Sequence, residues 1–141
     1  MLTLDIARKL ISGVFEHAAT LELKPLGVAV LDPGGHVIAF EKQDGASNMR
    51  FQIAFGKANG ALAMGLGSRT LYERAKNQPY FINAMNTLAN GALVPVPGGI
   101  LIRDDTSRII GAVGVTGDNS NNDERCAIHA IENLGLVADA G

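Results

Sequence analysis

Tryptophan is absent from this chain, and no run of Lys or Arg forms a basic stripe. With no indole to stack on bases and no cationic track for phosphates, nucleic acid is not an expected partner. Charge is scarce as well. Twelve basic residues stand against 14 acidic ones for a net charge of −2, and only 18% of the chain is charged. A disordered chain would carry more charge and less apolar content than the 47% found here. No apolar stretch reaches the roughly 18 to 20 residues needed to span a bilayer. The opening MLTLDIARKL has Asp5 too early for a signal peptide. Cys126 is the single cysteine, so no intramolecular disulfide forms. The expected location is the cytoplasm, with no membrane partner.

The 141 residues have the length of one ordinary domain, read as a single unit over 1–141. Hydrophobic residues are numerous enough to build a core and leave apolar surface for subunit contacts. Seventeen glycines stand beside only five Phe and two Tyr. They cluster at defined points, which marks tight turns and close backbone approach.

Leu4, Ala7, Leu10, Ile11, Val14, Phe15 and Ala18 recur at helical spacing, with Thr3 as N-cap and an end near Lys24–Pro25. Leu26 to Leu31 and Val37 to Glu41 form a hairpin about the turn Asp32-Pro33-Gly34-Gly35. Ser47 opens a long helix of small residues that ends at Gly65 and Gly67, and Ser68 caps a short helix over RTLYERA. Residues 80–89 form another short helix, and Pro95 to Gly99 a stiff loop. A second hairpin runs from Ile100 to Thr116, and a last helix from about Asp123 to Leu134, closed by Gly135. The order predicts an α/β (α+β) domain with a mainly antiparallel sheet and helices packed on it.

Four segments in order carry a family pattern. They are VAVLDPGG (28–35), QDGA (43–46), Lys57-Ala58, and PGG (97–99) leading to GAVGVTG (111–117) and DERCA (123–127). Together they resemble the GlcG/HbpS family, which includes the C-terminal domain of a corrinoid adenosyltransferase. The resemblance implies a profilin-like antiparallel sheet of about five strands between helices. It also implies a homo-oligomer, tetramer or octamer, and haem binding in some members.

Candidate chemistry falls at five places. Arg50 and Lys57 lie seven apart on one helix, so a paired cationic face could hold a substrate carboxylate or haem propionates. Lys57 sits among small apolar residues, a setting that lowers a lysine pKa, although an exposed or snorkelling lysine is the ordinary case. Gly98, Gly99 and the stretch Gly114 to Gly117, with Thr116, let backbone N–H groups approach a carboxylate or oxyanion. The competing explanation is a hairpin needing positive φ and room for a neighbouring helix.

Asp123, Glu124, Cys126 and His129 gather at the start of the last helix. Cys126 and His129 share a face, but two soft ligands without a second pair favour a capped helix start over a metal site. His17 and His36 are the candidate axial ligands for haem iron. Tyr72 and Tyr80 are single polar aromatics of the middle region, explained equally well by packing.

These residues point first to a small-ligand-binding homo-oligomer, with haem or a related planar acid in a pocket at a subunit boundary. The alternative is a cofactor-independent lyase, hydratase or isomerase on a small carboxylic acid, with Lys57 or Glu124 moving protons and Arg50 holding the carboxylate. An accessory protein whose glycines serve only packing is the third.

Overall fold

The computed structural model describes residues 1–141. Its elements run α1 (Leu4–Thr20), β1 (Gly27–Leu31), β2 (Val37–Lys42), α2 (Arg50–Met64), α3 (Ser68–Asn77) and α4 (Pro79–Leu88). Then follow β3 (Gly99–Arg103), β4 (Ile109–Thr116), α5 (Ser120–Asn133) and β5 (Val137–Asp139). The five strands form one sheet in the order β2-β1-β4-β3-β5, every neighbouring pair antiparallel. This is the expected mixed α/β architecture of five strands with helices against them.

Period-2 alternation divides the sheet into two unlike faces. Val28, Val30, Ile100, Ile102, Val113 and Val115 pack with α1 and α5 in the main core. Leu31, Leu101 and Ala112 point the other way, against Ala58 and Ala61 of α2. Gly114 and Gly99 lie on this second face. A Cβ on Gly114 would stand 1.9 Å from the Ala54 carbonyl oxygen, and one on Gly99 2.2 Å from that of Lys57. The large branched side chains therefore face two helices, while glycine and alanine let α2 lie almost directly on the backbone. The α3–α4 hairpin adds a satellite cluster around Leu71, Ile82 and Leu93.

Several boundaries depart from the sequence expectation. α1 stops at Thr20 rather than near Lys24, because Glu22 takes a left-handed φ of 55°. Its Thr3 cap is present, accepting from Ile6 N. Ser47 does not open α2; the helix starts at Arg50 after a turn closed by Arg50 N donating to the Ser47 carbonyl. Gly67, not Ser68, is the N-cap of α3, which frees the Ser68 hydroxyl to accept from Gly99 N at 2.7 Å. α5 begins at Ser120, three residues before Asp123, with the Asn119 side chain accepting from Asn122 N. β5 has no counterpart in the sequence reading, since three residues are too few for an alternation signal.

Candidate functional site

Two side-chain clusters flank the N-terminal half of α5, one inside the molecule and one on its surface. The inner cluster lies at the sheet end where Gly27 of β1 pairs with Thr116 of β4. Lys57, from the middle of α2, reaches this end with only 2% of its surface exposed. The exposed or snorkelling lysine of the ordinary reading is therefore not what the fold holds. Its Nζ donates to the Val115 carbonyl at 2.8 Å and to Asp123 Oδ2 at 3.3 Å. Asp123 Oδ1 accepts from Asp118 N at 3.0 Å, so both carboxylate oxygens are occupied. Burial pushes the Lys57 ammonium down and the Asp123 carboxyl up, and each partner's charge opposes its neighbour's shift.

Gly98 makes room for this pair. It has φ 119°, and a Cβ there would stand 2.9 Å from Lys57 Nζ. Arg50 joins from the first turn of α2, its Nη1 donating to Thr116 Oγ1 at 2.9 Å. The structure thus gathers Arg50, Lys57, Gly98, Thr116 and Asp123 at one sheet end, as the helical spacing of Arg50 and Lys57 allowed. The backbone N–H groups expected to meet a ligand are partly committed elsewhere. Gly99 N is taken by Ser68, and Gly117, with φ 142°, packs against Pro25 and Leu26.

Glu124 turns away from Lys57, because successive residues of α5 project on different faces. Arg69 of α3 grips it with two nitrogens, Nε at 3.0 Å from Oε2 and Nη2 at 3.1 Å from Oε1, and also reaches Asn121 at 2.7 Å. This fork forms one wall of a groove of about 430 Å³ between α1 and α5, lined also by His17, Arg125, Ile128, His129 and Glu132. The rings of His17 and His129 stack there, centroids 3.9 Å apart and planes 13° from parallel. Burial, then the neighbouring His129 and Arg125, lowers the His17 pKa and so favours its neutral imidazole. Arg69, and the meeting of His129 with His17, are what the sequence reading did not bring to this groove. Arg69 sits in an unremarkable helix, and His129 was weighed with Cys126 rather than with the distant His17.

The remaining candidates lie apart. Cys126 and His129 do not share a face in three dimensions. Cys126 is buried against the sheet, its thiol pushed up to about 11 by burial, while His129 is exposed at the groove. His36 follows the β1–β2 turn and is exposed, its Nδ1 3.1 Å from Asp32 Oδ1. Tyr72 borders a small cavity with Val96 and Pro97, and Tyr80 projects from α4 into solvent.

The fold recurs in solved structures. PduOC in complex with heme superposes with a TM-score of 0.83 at 23% identity, over 94% of each chain. The protein ORFY of Klebsiella pneumoniae gives 0.84 at 23% identity, over 94% of this chain and 90% of that one. A double mutant of HbpS from Streptomyces reticuli gives 0.80 at 24% identity, over 96% and 88%. At such identities the likeness speaks for the fold alone. No curated protein matches the sequence. Residues 2–132, however, match the family described as haem degrading protein HbpS-like, nearly the whole chain. The chain belongs to this HbpS-like family.

Proposed function

We propose that this protein binds haem, or a related planar acidic ligand, in the groove between α1 and α5, with a second copy of the chain closing the site. The observation that carries the reading is the stacked His17–His129 pair lying in one groove with Arg69 and Arg125. Neutral imidazole is an axial donor for haem iron, and guanidinium groups match propionates in charge and planarity. The donor set therefore fits haem. His17 would supply the nitrogen ligand, Arg125 and the outer edge of Arg69 the propionate contacts, and His129 would hold the His17 ring in place by stacking. Haem, when bound, supplies a redox-active iron centre.

The groove covers only part of a porphyrin. Ile128 is its sole hydrophobic lining residue, whereas a macrocycle presents two apolar faces. A second subunit would provide the missing apolar cover, and exposed Met49, Tyr80, Leu88 and Val137 are consistent with a chain that associates with itself. No helix is long and apolar enough to cross a membrane, and the cytoplasm is the proposed location. The PduOC–heme complex, a neighbour in fold, supports the ligand class.

Hemin titration followed by visible absorbance tests the reading. A saturable Soret shift is expected for the native chain, lost in His17→Ala and weakened in Arg125→Gln. An unchanged Soret spectrum and affinity in His17→Ala would sink the assignment of the groove, and a featureless titration of the native protein would sink haem altogether. The enzymatic alternative draws on the convergence of Arg50, Lys57 and Thr116. It is less well supported, because Lys57 is buried and its ammonium is already bonded on the inside.

A further inference from the structure

At the sheet end opposite Lys57, the turns of both hairpins meet beside the chain segment that leads into α1. They frame a cavity of about 650 Å³ with Leu2, Ile38, Ile109 and Ile110 on its walls and His36 and Arg108 at its rim. Ile38 comes from β2, and Ile109 and Ile110 from the start of β4, so all of these apolar walls but Leu2 belong to the sheet. The two rim groups offer a ligand different chemistry.

Asp32 sets the polarity of His36. Its Oδ1 accepts from Gly34 N at 2.9 Å and from His36 N at 3.0 Å, and lies 3.1 Å from His36 Nδ1. These contacts, the His36 backbone N–H first, hold the Asp32 carboxyl below the usual carboxylate range. An ionised carboxylate only accepts, so in the neutral ring Nδ1 is the protonated nitrogen and Nε2 the one that can accept. Gly34 permits the arrangement, since a Cβ there would press to 2.9 Å from the His36 ring. Arg108 is anchored through Nε to Asp104 Oδ2 at 3.1 Å, which leaves its Nη groups to donate. The rim thus holds the His36 acceptor and the Arg108 cationic donor above an apolar wall, with the Asp32 carboxylate on the His36 side already engaged by its own turn.

We propose that this cavity is a ligand site separate from the α1–α5 groove, taking an aromatic acid that carries a hydroxyl group. The ring would lie on Ile38, Ile109 and Ile110, the hydroxyl would donate to His36 Nε2, and the carboxylate would pair with the Arg108 Nη groups. A flat ring suits an open wall of branched side chains. The planar guanidinium matches a carboxylate in two-point contact. An acid without the hydroxyl leaves His36 unmatched, and a phenol without the acid leaves Arg108 unmatched. The site makes no use of iron and does not rest on the haem reading.

The test is an NMR titration of the full chain, free of haem, with 6-hydroxy-2-naphthoate. Saturable shifts confined to residues 32–38 and 108–110 are expected. 2-Naphthoate, which lacks the hydroxyl, should bind about tenfold more weakly, as should the parent acid to His36→Ala or Arg108→Gln, each having lost one hydrogen bond. Both residues are exposed, and the hydroxyl-free acid gives its answer on unaltered protein. Equal affinity for the two acids, shifts spread over the surface, or no saturation would overturn the proposal. Hemin displacing the acid, with the Soret change lost in His36→Ala but kept in His17→Ala, would overturn both this proposal and the haem groove. Soret loss in His17→Ala alone, beside intact acid binding, supports both.

Discussion

Lys57 Nζ stands 3.3 Å from Asp123 Oδ2, and the two side chains are 2% and 1% exposed. They join the middle of α2 to the first turn of α5 across the end of the sheet. Taking both charges out of water is costly, and their attraction is helped to offset that cost by the hydrogen bonds with the Val115 carbonyl and Asp118 N. Asp123 also lies where the α5 dipole favours a negative charge. Lys57→Met leaves Asp123 buried without its cation, and a loss of about 3 to 5 kcal/mol is expected in urea unfolding. The double variant Lys57→Met with Asp123→Leu should recover most of that loss. A double variant as unstable as the single one would mean that the pair contributes more than mutual neutralisation.

Gly114 is predicted to tolerate no side chain. Its Cβ would overlap the Ala54 carbonyl oxygen, which is backbone and cannot swing aside. Gly114→Ala should cost about 3 kcal/mol or more, because α2 must lift from the sheet along its length. A shift in the denaturation midpoint equivalent to less than about 1 kcal/mol would show that α2 is not seated so closely.

Cys126 should be inert in the folded protein. It is buried, and burial with the nearby Asp123 carboxylate pushes its thiol up to about 11, while the thiolate is the reactive form. A disulfide reagent such as Ellman's is expected to react slowly with native protein and quickly in urea. Equal rates in both conditions would place the thiol at the surface.

Asp104 organises the β3–β4 turn and should titrate far from its ordinary range. The Thr106 hydroxyl first, then backbone N–H groups of Arg108 and Thr106, hold its carboxyl at about 2 against a reference of 3.8. A depressed acid contributes stability that is present above the unfolded value and lost as pH falls through the folded one. The turn should therefore loosen between about pH 4 and pH 2. Carbon-detected NMR of the Asp104 carboxyl gives the midpoint directly, and Thr106→Ala should raise it. A native midpoint near 4 would remove the hydroxyl from this role.

The β1–β2 and β3–β4 hairpins were legible because short apolar, β-branched runs flank turns with their own Pro, Gly or Asp residues. α1 was legible from its apolar stripe and Thr3. β5 was not, since its three residues become a strand only by pairing with β3. The glycines of β3 and β4 were seen but left ambiguous. Their meaning depends on what lies above them, and α2 comes from a separate part of the chain. The site divides the same way. Arg50 and Lys57 could be put on one face by counting along a helix, yet the acid that meets Lys57 lies 66 residues away. The groove needs His17 from α1, Arg69 from α3 and His129 from α5, and no local pattern ties these three together.

By itself the sequence determined the element types other than β5, the antiparallel character of the sheet and the family, because these follow from short-range sterics, apolar runs and motif order. Only the tertiary structure decided that Asp123 serves Lys57 while its neighbour Glu124 serves Arg69. A helix turns about 100° per residue, so adjacent side chains face different partners, and packing alone selects who those partners are.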